Sequence, residues 1–229
     1  MSFVRRAVVL TDAFVVVGTL AMCTAPAARA YGIIGRANLD GSGVNQSFIT
    51  EGQISLGVVV DGTHIYWAND ASTVSGPISI ARANLDGTGV NLTFIPGAIA
   101  PRGVAVDGSH IYWVNQTGSI ARANLDGSGA NESFITFVDE PVGVAVDGTH
   151  IYWSSSFENT IARANLDGTG VNQSFITMNP QGLGSQPRGV AVDGTHVYWA
   201  NSGAFVPEPG TGLLVMTGLL GLALRRRRV

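Results

Sequence analysis

An eleven-residue phrase recurs four times in the chain, and this repetition constrains the fold more than any other feature. The version Gly-Val-Ala-Val-Asp-Gly-Thr-His-Ile-Tyr-Trp occupies residues 143–153, with close copies at 57–67, 103–113 and 189–199. A second phrase, Arg-Ala-Asn-Leu-Asp-Gly-Ser/Thr-Gly, begins at residues 36, 82, 122 and 163. One structural unit is therefore built four times, and the fold is an array of these units.

Each unit divides into four short strands. Gly-Val-Ala-Val and His-Ile-Tyr-Trp flank an Asp-Gly pair, which is a strong hairpin signal between two apolar runs. Ile-Ala-Arg-Ala-Asn-Leu forms a third strand before another Asp-Gly turn, and Val-Asn-Gln-Ser-Phe-Ile forms the fourth. The repeat length of 40 to 46 residues is typical of propeller blades. The sequence predicts an all-β fold, a small β-propeller of four four-stranded blades.

These phrases resemble the YWTD, or low-density-lipoprotein-receptor class B, propeller repeat over residues 33–201. The signature itself departs from the family pattern. It reads Tyr-Trp-Ala-Asn at 66–69 and 198–201, Tyr-Trp-Val-Asn at 112–115 and Tyr-Trp-Ser-Ser at 152–155. The family's Thr-Asp is absent, so the blade-to-blade hydrogen bonds of that aspartate do not carry over, although asparagine can replace them in part at three of the sites.

The first and last units of the repeat array are incomplete, and this affects how the two ends of the array can be covered. The unit array begins at a third strand, near residue 34, and ends after a second strand, near residue 199. We therefore expect the N- and C-terminal strands to pair and to complete one blade between them. The alternative is an open array that pairs with another copy, and family members usually have six blades.

Both ends of the chain carry targeting patterns. Arg5 and Arg6 precede an apolar run, and Ala28-Arg29-Ala30 has the small-x-small pattern of a signal-peptidase site, so residues 1–30 are predicted to be a signal peptide. The other end, residues 206–229, resembles the PEP-CTERM sorting signal that exosortase handles in Gram-negative bacteria, with an apolar span predicted as a helix. The signal residues are Pro207, Glu208, Pro209, Arg225, Arg226, Arg227 and Arg228.

Charge excludes one class of partner for the repeat region, residues 31–205. Between residues 31 and 206 there are six arginines, no lysine and fourteen acidic residues, a net charge of −8. Nucleic-acid binding requires cationic side chains that replace phosphate counterions, and this region opposes such binding.

The repeated histidines raise the question of a metal site. His64, His110, His150 and His196 would lie at equivalent positions on one rim of a closed ring. Each follows a turn, however, so its ring can face solvent, and equivalent positions on neighbouring blades are too far apart to share an ion. The Asp-Gly-Ser-Gly-Val-Asn loop at 40–45 and its copies lack the distal glutamate of an EF-hand. We predict no metal or cofactor site, and read both phrases as hairpin turns.

Catalysis needs different groups in different roles at one place, whereas nearly every polar residue here is a repeat copy. The non-repeated acidic residues show no acid–base spacing; they are Glu51, Asp70, Asp139, Glu140 and Glu158. The innermost strands offer a channel metal only small apolar side chains. We therefore predict that the protein is not an enzyme.

The sorting resemblance implies a secreted or cell-surface protein, held transiently in the inner membrane and associated with exopolysaccharide or biofilm matrix. Its role there would be structural or binding, through the loops at 69–79 and 177–188. The alternatives are a carbohydrate- or protein-binding module, for which Phe137 and Phe157 are the loop aromatics, and a metal-dependent propeller hydrolase.

Overall fold

The computed structural model describes residues 34–51, 54–70, 76–178 and 186–202, and all regular elements among them are β-strands. The strands are β1 (Ile34–Arg36), β2 (Asn45–Ile49), β3 (Ile54–Val60), β4 (His64–Asp70), β5 (Ser79–Asn84), β6 (Asn91–Pro96), β7 (Pro101–Val106), β8 (His110–Asn115), β9 (Ser119–Asn124), β10 (Asn131–Thr136), β11 (Pro141–Val146), β12 (His150–Ser155), β13 (Thr160–Asn165), β14 (Asn172–Thr177), β15 (Pro187–Val192) and β16 (Val197–Asn201). The predicted all-β propeller fold is confirmed.

The repeated phrase forms the hairpin that its Asp-Gly turn predicts. In the unit that starts at Pro101, β7 pairs antiparallel with β8, so that Val106 faces Ile111 and Val104 faces Trp113. The same register recurs in the pairs β3–β4, β11–β12 and β15–β16. Near-identical local sequence therefore gives the same hairpin register in all four units.

Three complete blades follow one another along the chain. Blade 1 contains β3 to β6, blade 2 contains β7 to β10 and blade 3 contains β11 to β14, each a four-stranded antiparallel meander. The remaining strands form two half blades: β1–β2 is the N-terminal half blade and β15–β16 is the C-terminal half blade.

The expected blade shared between the two ends is wrong, and with it the expectation of four complete blades. The two half blades are separate two-stranded sheets. The inner strands pack side by side in the order β3, β7, β11 and β15. A β-carbon built on the last inner glycine, Gly189, finds no atom within 4 Å, so no described strand follows β15 on that side. Packing between blades sets the turn from each blade to the next, and four units do not complete the circle.

The core lies between the blades. Trp67, Trp113 and Trp153 are fully buried, and each packs in a cluster shared with the preceding blade or half blade. On the outer strands each repeated arginine lies over the phenylalanine of the fourth strand. For example, the Arg82 guanidinium carbon is 4.0 Å from the centre of the Phe94 ring. This cation–π contact ties the third strand to the outermost strand.

Two predictions concern residues outside the described ranges. The signal peptide, at 1–30, and the apolar helix with the sorting residues, within 206–229, both lie there. Within the ranges that the structure does describe, there is no helix with the length and apolar character needed to span a membrane.

Candidate functional site

The aspartate of each repeated turn holds the hairpin together. In blade 1, Oδ1 of Asp61 accepts hydrogen bonds from the backbone N–H groups of Thr63, at 2.6 Å, and His64, at 2.7 Å. Its Oδ2 accepts the hydroxyl of Tyr66 at 2.9 Å. Burial would raise the pKa of Asp61, but these hydrogen bonds outweigh it and lower the pKa to about 2. Burial and the same contact raise the pKa of Tyr66 to about 12.

The repeated histidines belong to these turns. In all four, Nδ1 lies 2.7 to 2.8 Å from the hydroxyl of the preceding threonine or serine. Each ring also lies 5.9 to 6.0 Å from the tyrosine two residues later. Across the described parts of the chain, no three histidine, cysteine or acidic side chains gather to hold a metal ion. Each imidazole thus has its contacts inside its own hairpin.

The glycine-rich loops of the second phrase are also closed by their own hydrogen bonds. Oδ1 of Asp40 accepts the backbone N–H of Ser42 at 2.9 Å and its hydroxyl at 2.7 Å. The Asn38 amide donates to the same hydroxyl at 2.9 Å. The Asp40 carboxylate is therefore part of a turn that is closed by its own hydrogen bonds.

The non-repeated acidic residues fall into different places. Asp70 is buried at the end of β4, whereas Glu51, Asp139, Glu140 and Glu158 are exposed. Asp70 and Glu140 line different cavities. These carboxylates do not share one cavity.

The inner strands line a central channel of about 590 Å³, which they enclose only in part because the circle of units is open. Its walls are mostly backbone and valine from β3, β7, β11 and β15, with Asp70, Arg102 and Arg188 as the charged side chains. Glycine is required along this wall because the inner strands approach closely. A β-carbon on Gly103 would lie 2.9 Å from the carbonyl oxygen of Val142 in the next blade. The channel therefore offers few kinds of functional group, because most of its lining residues are repeat copies of glycine and valine.

A second cavity, which we call the rim cleft, breaks the repetition. It has a volume of about 440 Å³ and is formed where the ends of β7, β11 and β15 meet the turns after β8 and β12. It is lined by Arg102, Gln116, Glu140, Pro141, Ser156, Phe157, Asn159, Gln186 and Arg188. The Phe157 ring is 68% exposed, although it lies in the turn between two buried strands. The cleft thus combines an open aromatic face with polar and cationic side chains.

Hydrogen bonds position the walls of the rim cleft. The Asn159 side chain donates to the backbone oxygen of Phe157 at 3.4 Å and accepts the Gln186 N–H at 2.8 Å. The Ser156 hydroxyl donates to Glu140 Oε2 at 3.1 Å. Asn159 therefore links the aromatic turn of blade 3 to the start of the C-terminal half blade.

Sequence reasoning identified Phe157 and Glu140 but missed most of the cleft. Their neighbours Gln116, Asn159 and Gln186 carry one usable signal, since each stands where the repeat copies disagree. Of the two loops predicted to bind a partner, residues 71–75 and 179–185 lie outside the described residues.

The sequence profile of the PEP-CTERM protein-sorting motif matches residues 205–228, which include all the predicted signal residues. The chain thus carries an export and sorting signal of the exosortase type, and it is a surface or secreted protein with a propeller fold. No curated protein matches the sequence significantly.

Solved structures support the fold. The chain is similar to nidogen in a nidogen/laminin complex, with a TM-score of 0.61 and 22% identity over 74% of this chain and 64% of that one. It is also similar to a gluconolactonase of Xanthomonas campestris, with a TM-score of 0.57 and 16% identity over 74% and 62%. The computationally designed Ika4 protein matches with a TM-score of 0.50 and 9% identity over 66% and 87%. The chain spans less than two thirds of the nidogen and gluconolactonase chains, and the likeness to nidogen confirms the YWTD-type propeller fold.

Proposed function

We propose that the protein is a non-catalytic component of the extracellular matrix of its bacterium, and that it binds exopolysaccharide through the rim cleft. The observation that carries this proposal is the exposed Phe157 ring beside hydrogen-bonding and cationic side chains in one cavity. The sorting signal supplies the setting, because it directs the chain through export to exosortase. In this proposal Pro207 and Glu208 present the signal, and the Arg225–Arg228 cluster remains on the cytoplasmic side.

The chemistry of the cleft suits an acidic sugar polymer despite the negative charge of the repeat region as a whole, because two arginines, Arg102 and Arg188, stand against one carboxylate, Glu140, in the cleft lining. The C–H face of a pyranose ring packs on an aromatic side chain, which Phe157 offers at the cleft edge. Amides of Gln116 and Gln186 can exchange hydrogen bonds with sugar hydroxyls. Arg102 and Arg188 can pair with carboxylates, since guanidinium groups form paired hydrogen bonds to them. A neutral sugar would leave both arginines without that charge-assisted pairing.

The channel supports the non-catalytic part of the proposal. Its inner strands present mostly backbone and valine, and Asp70 is the one acidic residue among the described residues that line it. A hydrolytic metal site would need several different ligands converging on one point, so stoichiometric calcium or zinc in the purified protein would contradict this assignment.

Binding to two polymers tests the proposal. Calorimetric titration with polygalacturonate should show binding, and dextran should bind at least tenfold more weakly. Replacing Phe157 with alanine should weaken polygalacturonate binding at least tenfold. Replacing Phe137 with alanine is the matched control, because that ring is 91% exposed but lies outside the cleft lining. Absence of polygalacturonate binding, or equal effects of the two variants, would refute the cleft as the binding site.

A further inference from the structure

The two half blades are complementary parts of one blade. The C-terminal half blade contains a first and a second strand, and the N-terminal half blade contains a third and a fourth. In each complete blade the second strand pairs with the third in a fixed register: in blade 1, Tyr66 faces Arg82 and Trp67 faces Ala81. Among the described strands, β16 is hydrogen-bonded only to β15, and β1 only to β2. Each half blade therefore has a free edge that fits the other.

The side chains of β16 show what is missing. Trp199 is 38% exposed and Tyr198 is 52% exposed. Their equivalents in the three complete blades are buried; they are Trp67, Trp113 and Trp153, and Tyr66, Tyr112 and Tyr152. The sequence does not explain this difference in exposure, because the Tyr-Trp pair is the same in all four units. The exposure arises because, among the described strands, no third and fourth strand pairs with β16.

The opposite end of the array shows the matching deficiency. Val58 on β3 is 59% exposed, whereas the equivalent Val104 and Val144 are 7% and 6% exposed. Val104 is buried in a cluster with Tyr66 and Ala68 of the preceding blade. The residues that would cover Val58 in the same way are a tyrosine and an alanine of a preceding second strand. Tyr198 and Ala200 are such residues, on β16.

Gly189 provides the sharpest indication. β-carbons on Gly57, Gly103 and Gly143 would lie 2.6, 2.9 and 2.5 Å from the carbonyl oxygen of the next inner strand. Gly189, the fourth copy, has no atom within 4 Å of its built β-carbon. Gly189 therefore occupies the position at which the other three glycines contact the next inner strand, but no described strand lies there. A further inner strand packed against β15 would occupy this space.

We propose that a second copy of this chain supplies these missing contacts. Its β1 pairs with β16 in the register of the complete blades, so that Trp199 faces Gly35 and Tyr198 faces Arg36 of the second copy. Its β3 then lies against Gly189, with Gly57 at the point of closest approach. Two copies that exchange these ends reciprocally complete both broken blades and pair the free edges of the half blades, β16 and β1.

A second copy fits this surface because the chain's own N-terminal half blade is already arranged as a blade half. The Arg36 guanidinium lies 4.2 Å from the centre of the Phe48 ring, as Arg82 lies over Phe94 in blade 1. In blade 1, Tyr66 on the second strand is the direct cross-strand partner of Arg82 on the third. Arg36 is thus held where Tyr198 of another copy would meet it.

Mass measurement on the full-length chain tests this interface. Size-exclusion chromatography with light scattering should give a multiple of the 23.8 kDa chain mass. Gly189→Ala should weaken association at least tenfold in a dilution series, because its β-carbon would meet the incoming strand. The monomer should unfold as before, since that β-carbon meets nothing in one copy. Gly148→Ala is the matched control: its β-carbon also meets nothing, but it lies in a turn away from the free edges.

Cross-linking then tests the register. Ala68 faces Ile80 in blade 1, so Ala200 should face Ile34 of the second copy. Chains with Ala200→Cys and chains with Ile34→Cys, both with Cys23 replaced by serine, should form a disulfide-linked pair when mixed and oxidised. A monomeric wild-type chain, or association that Gly189→Ala leaves unchanged, would overturn the proposal. So would failure of the mixed chains to cross-link.

Discussion

Replacing Asp61 with asparagine separates the charge of the repeated turn from its shape. The asparagine carbonyl can still accept the N–H groups of Thr63 and His64. Its NH2 group, in the place of Oδ2, cannot accept the hydroxyl of Tyr66, which the carboxylate accepts at 2.9 Å. The substitution therefore removes the charge-assisted part of the network and leaves the hairpin geometry intact.

The expected loss follows from the pKa of Asp61. Burial alone would raise this pKa, but the hydrogen bonds from the turn and from Tyr66 lower it to about 2. The ordinary aspartate pKa is 3.8, and each unit corresponds to about 1.4 kcal/mol, which gives an upper bound of about 2.5 kcal/mol. Partial solvent exposure screens the charge, so we expect Asp61→Asn to lower the free energy of unfolding by about 1.5 kcal/mol at pH 7.

The pH dependence has a definite sign. Because the folded pKa lies below the unfolded pKa, the stabilisation is complete above the unfolded value near about 4 and disappears as the pH falls towards about 2. Urea unfolding followed by tryptophan fluorescence should show the full difference between variant and wild type at pH 7, and a shrinking difference below pH of about 4. Asp126→Asn is the control, because that exposed turn carboxylate accepts only local bonds from Ser128. Equal losses for both variants, or a loss independent of pH, would refute the reasoning.

Two further predictions concern the core. Gly103→Ala should lower the free energy of unfolding by about 2 kcal/mol, because its β-carbon would lie 2.9 Å from a carbonyl oxygen of blade 3. Gly108→Ala is the control and should have little effect, because no atom lies within 4 Å of its β-carbon. Equal shifts of the melting temperature in both variants, measured by calorimetry, would contradict this prediction. Burial raises the pKa of Glu132, although hydrogen bonds from Asn115 and Trp113 act in the opposite direction. The charged carboxylate therefore destabilises the folded protein at pH values above the ordinary carboxyl pKa. Glu132→Gln should therefore gain about 1 kcal/mol relative to wild type between pH 4 and pH 7, and a gain of the same size at both pH values would exclude charge as the cause.

The hairpins were predictable because their information is local. An Asp-Gly pair between two short apolar runs determines the turn, and the apolar run that follows it forms a strand buried on both faces, as in β8. The four copies then confirmed one another, and the structure has Trp67, Trp113 and Trp153 in equivalent buried positions.

The open end and the rim cleft were not predictable in the same way. Whether β16 meets β1 depends on the rotation from blade to blade, which results from side-chain packing across several interfaces and leaves no trace in a repeat. The cleft brings Gln116, Asn159 and Gln186 together from three units, and no spacing along the chain indicates that they meet. Departures from the repeat mark such residues only as candidates.

The described strand array starts in the third strand of a unit, at β1, and ends in the second, at β16. Because of this offset, the two free edges have the same structure whatever the number of whole units between them. Adding or deleting one whole unit would change the number of blades but would leave the same two unsatisfied borders, with the same register and the same aromatic pair. Versions of the chain with one unit more or one unit fewer would therefore keep the same strand pairing between copies, while the arc that each copy spans would change.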